Sequence, residues 1–227
     1  MHNGFEHYPC MKPLTGRSVL WAALLASAAV LPVSAQTQPQ QPVATVAGSP
    51  VIEVADVRFS PVRLGSNTWY ETDIEIQPRG GVGADNRQYI NRVKVTLTLG
   101  IFSVKAAQGA KIPDTYYRAS AEVAAIKSTS GRTHFRFYLP PEIVDRDQIT
   151  GEQRFYLVEL FVDGKALPLT KYHVPSTFKP ETVEGFRNKA SAEVAANDGI
   201  LLPQYLTPLA NAGSPPAPSF IRIENTR

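Results

Sequence analysis

The chain has a single cysteine, Cys10, so no intramolecular disulfide can form and the core must hold without covalent staples. It also lacks a membrane-length apolar segment, since the run at residues 19–31 falls short of the ~20 residues that span a hydrocarbon core. Charge of one sign is missing as well. With 23 Lys and Arg against 20 Asp and Glu, scattered without a basic stripe, nothing points to nucleic acid or anionic lipid as a partner. Histidine is sparse, and only His134 and His173 lie beyond the first ten residues. Two histidines without a cysteine motif or a close carboxylate motif are a weak metal signal. No serine sits in a nucleophile elbow, and Gly80-Gly81-Val82-Gly83 has neither the spacing nor the strand-to-helix step of a phosphate loop. The residues name no reaction and no cofactor, so a protein that is not an enzyme is expected.

What is present begins at the N-terminus. Lys12 and Arg17 precede the apolar run, and the small residues Val33-Ser34-Ala35 follow it, the three-part pattern of an export signal. We expect cleavage after Ala35, no stable membrane span afterwards, and a location in the periplasm or on the outer cell surface. An uncleaved membrane helix is the lesser reading, because nothing apolar extends the run past Pro32. Residues 36–50 open with Gln36-Thr37-Gln38-Pro39-Gln40-Gln41-Pro42, polar and proline-bearing, and read as a tether.

From residue 51 the pattern alternates with period two. Val51, Ala55, Val57 and Phe59 share one face of a first predicted strand. A second, over residues 68–77, turns Tyr70, Thr72, Ile74 and Ile76 inward and Glu71, Asp73 and Glu75 outward. A third places Val93, Val95, Leu97, Leu99 and Ile101 opposite Arg92, Lys94, Thr96 and Thr98. Two arrangements join the second and third strands. In a hairpin, Ile74 pairs with Val93 and Glu75 faces Arg92; otherwise the glycine-rich loop at residues 79–86 crosses between sheets, as in immunoglobulin domains.

The alternation continues through Tyr117, Ala119, Ala121, Val123 and Ala125, breaks at Ser128-Thr129-Ser130-Gly131, a span short enough for a hairpin, and resumes at Phe135, Phe137 and Leu139. After a predicted loop over residues 140–152, residues 155–162 are apolar on both faces, as in a covered central strand. Asp163-Gly164 is the strongest hairpin signal, pairing Val162 with Lys165, Leu160 with Leu167 and Val158 with Leu169. The returning strand over residues 166–174 holds Pro168 and belongs at an edge. Seven short strands predict a mainly β protein: an immunoglobulin-like β-sandwich over residues 51–175. A C-terminal α-helix follows, opened by Pro180, closed by Gly199, and apolar along Val183, Phe186, Ala190 and Val194. Residues 176–208, with the apolar Ile200-Leu201-Leu202-Pro203-Gln204-Tyr205-Leu206, should fold back over outward Phe155, Leu157 and Phe161. Residues 209–227 read as a flexible tail.

Candidate contact residues come from parity. Trp69, Phe102, Tyr116 and Tyr138 point opposite to the core, where they either form a platform for sugars or a protein or lie covered by the C-terminal helix. Glu71, Asp73 and Glu75 project in parallel and are expected to be a solvated strand face, and Asp145-Arg146-Asp147 a turn. Phe220 and Ile223, β-prone and set beyond a Pro/Gly/Ala/Ser linker, are candidates for adding a strand to a partner.

Several segments also carry a resemblance: Asn67-Thr68-Trp69-Tyr70-Glu71-Thr72-Asp73-Ile74-Glu75-Ile76, Asn91-Arg92-Val93-Lys94-Val95, Phe137-Tyr138-Leu139-Pro140, Asp145-Arg146-Asp147-Gln148 and Gly199-Ile200-Leu201-Leu202-Pro203-Gln204-Tyr205-Leu206-Thr207-Pro208. Over about residues 51–208 the chain resembles the small immunoglobulin-like envelope protein encoded with type IV pilus-like secretin and inner-membrane assembly components in some Gram-negative bacteria. The resemblance implies a non-enzymatic role in pilus-like or secretion-apparatus assembly, with envelope or pilus-assembly proteins as partners and no family active-site residues. A carbohydrate-binding module that holds polysaccharide on its outward aromatics is the alternative.

Overall fold

The computed structural model describes residues 51–79, 89–103, 112–151 and 155–221; the expected export signal, the tether, the loop at residues 80–86 and Ile223 lie outside the described residues. Among the described residues no helix is long and apolar enough to cross a membrane.

The described residues form six long strands: β1 (Ile52–Leu64), β2 (Asn67–Pro78), β3 (Tyr89–Ile101), β4 (Thr115–Lys127), β5 (Thr133–Leu139) and β6 (Tyr156–Val162). A short helix α1 (Pro141–Asp147) separates β5 from β6. After β6 come the two-residue strand β7 (Lys165–Ala166), helix α2 (Pro180–Glu193) with its 3-10 extension Val194–Asn197, and the two-residue strands β8 (Leu202–Pro203) and β9 (Phe220–Ile221). One sheet runs β1-β2-β5-β8 and the other β7-β6-β3-β4-β9, with every pairing antiparallel. The protein is a mainly β two-sheet sandwich, as the alternation predicts. Strands one, two and five share a sheet while three and six are neighbours in the other, the immunoglobulin-type order, here with the fourth strand beside the third.

The core lies between the sheets. Tyr70, Ile74, Ile76, Phe135 and Phe137 from the first meet Val93, Val95, Leu97, Leu99, Tyr117, Val158 and Leu160 from the second. Each such side chain contributes about 1.5–3 kcal/mol by leaving water, which is how the fold holds without a disulfide. Val144 of α1 and Ile149, two residues beyond its end, close one end of this core.

Several expectations are corrected. Ala55 is the extra residue of a β-bulge: Val54 faces Ile76 while Asp56 faces Glu75. The insertion flips parity, so Ile52 and Val54, not Val51 and Ala55, are buried at the start of β1, whereas Val57 and Phe59 keep their inward side. The second and third strands lie in different sheets, so the crossing arrangement holds and Ile74 does not pair with Val93. Glu75 is held instead by Arg58 and Arg132. The break at residues 128–131 is likewise a crossing, because β4 and β5 also belong to different sheets. The predicted loop over residues 140–152 contains α1, a helix too short to leave a periodic signal, which starts at Pro141 and ends at Gln148 in the left-handed conformation.

The hairpin at Asp163-Gly164 forms as predicted, with Val162 opposite Lys165 and the Leu167 amide donating to the Leu160 carbonyl at 2.8 Å. The strand then stops after Ala166, and Leu169 does not reach Val158. His173 takes its place: the Val158 amide donates to the His173 carbonyl at 2.8 Å, and His173 Nδ1 donates to the Val158 carbonyl at 2.7 Å. Burial pushes the His173 imidazole below its ordinary value, with the Val158 carbonyl acting in the opposite direction. A histidine lowered on folding binds its proton more readily in the unfolded chain, so its neutral form supports the fold above about pH 6.5 and that support is lost as pH falls below it. His173→Ala should cost about 1–3 kcal/mol at alkaline pH by leaving the Val158 carbonyl unpaired, and should flatten the fall in stability on acidification below about pH 6.5. Urea midpoints measured across that range check both.

Helix α2 docks as expected on the outer face of the second sheet. Phe186 and Ala190 bury against Tyr116 and Leu157, with Phe155, Phe178 and Val183 around them. Phe161 is not part of this contact; its ring lies under Lys94, whose Nζ is 4.5 Å from the centroid. Pro180 opens the helix and Gly199, at φ +75°, follows its 3-10 extension, both as the pattern predicts.

Candidate functional site

The four outward aromatics are where parity puts them, but three are covered by the chain itself. Tyr116 is 0% exposed, its ring 5.5 Å from that of Phe186 of α2. Burial pushes its hydroxyl up to about 12. Trp69, 9% exposed, and Tyr138, 1% exposed, sit on the outer face of the first sheet beneath Leu209, with Leu202 and Ala212 alongside. Phe102 remains at the surface, 36% exposed, edge-on to Phe155 at 5.4 Å. These four side chains therefore do not form an exposed platform. The cover over Trp69 and Tyr138 is built by Gln204, fully buried, whose Nε2 donates to the carbonyls of Leu209 at 3.1 Å and Ala212 at 2.6 Å. Thr207 Oγ1 donates to the Gln204 carbonyl at 2.8 Å and closes the same turn.

The acidic row of β2 is not a solvated face either. Glu71 accepts from the Tyr138 hydroxyl, Asp73 accepts from His134 Nδ1 at 2.9 Å and lies 3.6 Å from Arg136 Nε, and Glu75 is buried between two arginines. Arg136 is itself buried and donates from Nη2 to the Pro215 carbonyl at 3.1 Å, while a Cβ on Gly213 would stand 2.8 Å from its Nη1. This layer ties the C-terminal segment to the first sheet and leaves no carboxylate converging on an open space.

Among the described residues, two concave places stand out. One, of about 430 Å³, lies between the start of β2 and the end of α1, lined by Thr68, Tyr70, Asp145 and Gln148 among others. Its exposed acid, Asp145, stands without a second reactive group at hydrogen-bond distance among the described residues. The other is a groove of about 520 Å³ along β4, with Arg118, Ala119 and Ser120 on one side and Leu202, Pro203, Tyr205 and Leu206 on the other. Leu206 stands at its lip, 55% exposed. The sequence flagged this wall as an apolar stretch, residues 200–206, unsuited to water; nothing in it signalled that the segment would line up beside the free edge of a strand.

That edge is what distinguishes the groove. β4 pairs with β3 along its whole length, and among the described residues a strand meets its other side at Glu122 with Ile221 and at Val123 with Phe220. The Tyr116 carbonyl, pointing away from β3, accepts from Asn197 Nδ2 at 3.0 Å. Period two then turns the backbone N–H and C=O groups of Arg118, Ser120 and Glu122 toward the same free side. Phe220, expected to be available to a partner, lies instead on its own domain, with its ring 5.7 Å from Phe135 and 5.2 Å from Tyr205. Its apolar bulk gains more from the core margin than from water. Arg118 is held across the sheet by Glu159 at 3.0 Å, which also meets Arg187 of α2 at 3.4 Å.

Comparison with known proteins adds little to this geometry. The chain matches no family model, and no curated protein matches it. Among solved structures it is similar to a protein from Akkermansia muciniphila, at 12% identity and a TM-score of 0.47, over 76% of this chain and 93% of that one.

Proposed function

We propose that this is an exported, non-enzymatic protein of the cell envelope that acts by protein contact within a type IV pilus-like or secretion assembly, and that the contact is made by adding an extended partner segment to the edge of β4. The observation that carries the reading is β9. The chain's own Phe220–Ile221 already adds to this edge as an antiparallel strand, and the apolar groove continues alongside it. Strand addition takes affinity from backbone hydrogen bonds and selectivity from alternate side chains, and the groove offers both a row of backbone groups and an apolar wall. A polysaccharide role has lost its stated basis, since Trp69, Tyr116 and Tyr138 are buried.

Leu206→Asp tests the reading. Placing a charge at the exposed lip should leave the thermal midpoint nearly unchanged, a surface substitution being worth about 0.5 kcal/mol or less. Recovery of envelope proteins with the mature chain should fall at least tenfold, the equivalent of about 1.4 kcal/mol. Undiminished recovery of the same proteins would refute contact through this groove.

A further inference from the structure

We propose that residues 207–215 are a releasable strap, latched to the first sheet by Arg136, and that its release loosens β9 and opens the β4 edge. The proposal rests on the reading of that edge as a strand-accepting site and adds its control. Its first support is connectivity. Leu202, Pro203, Tyr205 and Leu206 form the apolar wall of the groove and Phe220–Ile221 the strand that holds part of the edge, so both sides of the groove are ends of one segment. Between them the chain crosses the outer face of the first sheet over Trp69 and Tyr138, and is clipped where Arg136 Nη2 donates to the Pro215 carbonyl at 3.1 Å. Residues 216–219 alone separate that clip from β9. With the clip in place a short tether keeps Phe220 near its seat. Without it the tether runs back to Ala212, which Gln204 holds, and closing the longer loop costs more entropy.

The second support is how loosely the strap is held. Its apolar contact, Leu209 and Ala212 against Trp69 and Tyr138, is a satellite of the main core. Three buried polar atoms in this layer have no hydrogen-bond partner among the described residues: Trp69 Nε1, Arg136 Nη1 and Gln204 Oε1. A buried polar group left unpaired opposes the closed state, and water satisfies all three once the strap lifts. The sheet beneath does not depend on the strap. The Tyr138 hydroxyl is held by Glu71, and Arg136 Nε lies 3.6 Å from Asp73, which also takes His134. An arginine that keeps its carboxylate in both states releases a carbonyl without becoming an unpaired buried charge.

In a chain beginning at Gln36, Trp69 is the single tryptophan and lies under the strap, so its emission reports the strap directly. Gly213→Ala loosens the latch without removing a charge, because Gly213 is at φ +98° and an added Cβ would stand 2.8 Å from Arg136 Nη1. Two amides report the two ends of the coupling: Ala212, which donates to the Leu209 carbonyl at 2.9 Å, and Glu122, which faces β9. The variant should shift Trp69 emission to longer wavelength, exchange both amides about tenfold faster, leave the Val95 amide of the core unchanged, and recover more envelope protein. Native-state exchange of the unaltered chain in rising urea gives the same test without a substitution. There Ala212 and Glu122 should share one opening, more frequent than that of Val95. Glu122 opening only with Val95, or a loosened strap that leaves Glu122 exchange unchanged, would overturn the coupling; Trp69 emission unmoved by Gly213→Ala would overturn the latch. If Glu122 exchange quickens but recovery does not rise, the coupling stands and the contact reading fails; if Glu122 is unmoved while Leu206→Asp still lowers recovery, the contact reading stands and the coupling fails.

Discussion

Gly100→Ala is expected to lower stability by about 1–3 kcal/mol, the range for forcing extra atoms into a packed interior. Gly100 lies on the outward side of β3, opposite Tyr116 and directly under α2. A Cβ there would stand 2.7 Å from Pro113 Cγ and 2.8 Å from Phe186 Cε2. Neither neighbour can yield easily. The proline ring is rigid, and the Phe186 ring is fixed between Tyr116 at 5.5 Å and Phe178 at 5.8 Å. The added methyl group must therefore lift the helix from the sheet, and the loss spreads over every residue that α2 buries. For a chain of this size each kcal/mol is worth roughly 2–4 °C in the thermal midpoint. Shrinking the neighbour in the same chain, Gly100→Ala with Phe186→Leu, should cost less than the sum of the two single changes, because the second relieves the clash made by the first. Strict additivity in calorimetry would show that Gly100 is not where helix and sheet make their closest approach.

A comparable loss, about 2–3 kcal/mol, is expected from Asp147→Ala, the range for leaving a buried partner of a charged hydrogen bond unsatisfied. Asp147 ends α1 and is buried, accepting from the Tyr117 hydroxyl at 2.7 Å and from Arg146 in a two-pronged contact at 2.8 Å for each bond. Arg146 is half exposed and can turn to water, so most of the loss falls on Tyr117, whose hydroxyl sits in the core with its deprotonation suppressed by burial and by the Asp147 carboxylate. Burial alone would raise the Asp147 carboxyl, but the hydrogen bonds from Arg146 and Tyr117 outweigh it and hold the group below its ordinary value. A carboxyl lowered on folding stabilises the native state above its unfolded value of about 3.9, and that contribution disappears as pH falls through the lower folded value. Asp147→Asn, which keeps an acceptor for Tyr117, should lose less than Asp147→Ala at neutral pH and should blunt the loss of stability expected below about pH 4. Circular dichroism during acid titration of the three chains checks the order.

The parts of this fold that could be read from the sequence are those set by a strict local period. Val93, Val95, Leu97, Leu99 and Ile101 all face the core because alternation has one solution once a side is buried. The Asp163-Gly164 turn was equally plain, since both residues take positive φ, at +48° and +76°. Reading failed where one residue breaks the period, as Ala55 does, or where a connection of a few residues could stay in a sheet or cross to the other, as at residues 128–131. Turn chemistry there is the same for both outcomes; the choice is made by which apolar faces must meet. Outward parity of Trp69, Tyr116 and Tyr138 was correct but silent on burial, because what covers them is more than 60 residues away in sequence, in Phe186 and Leu209. The β4 groove was invisible for the same reason. Its apolar wall was noticed as a segment in search of cover, while the free strand edge beside it exists only once two sheets have assembled.

The measurement that bears most directly on the account is whether the edge of β4 accepts a strand. The chain shortened after Pro218 is titrated with a synthetic peptide of residues 219–227 and followed by amide chemical shifts. The account predicts saturable binding with shifts concentrated at Glu122 and Val123 of β4 and at Phe135 and Tyr205, the residues that Phe220 meets. Absence of binding, or shifts concentrated along β1 at the far edge of the other sheet, would contradict it.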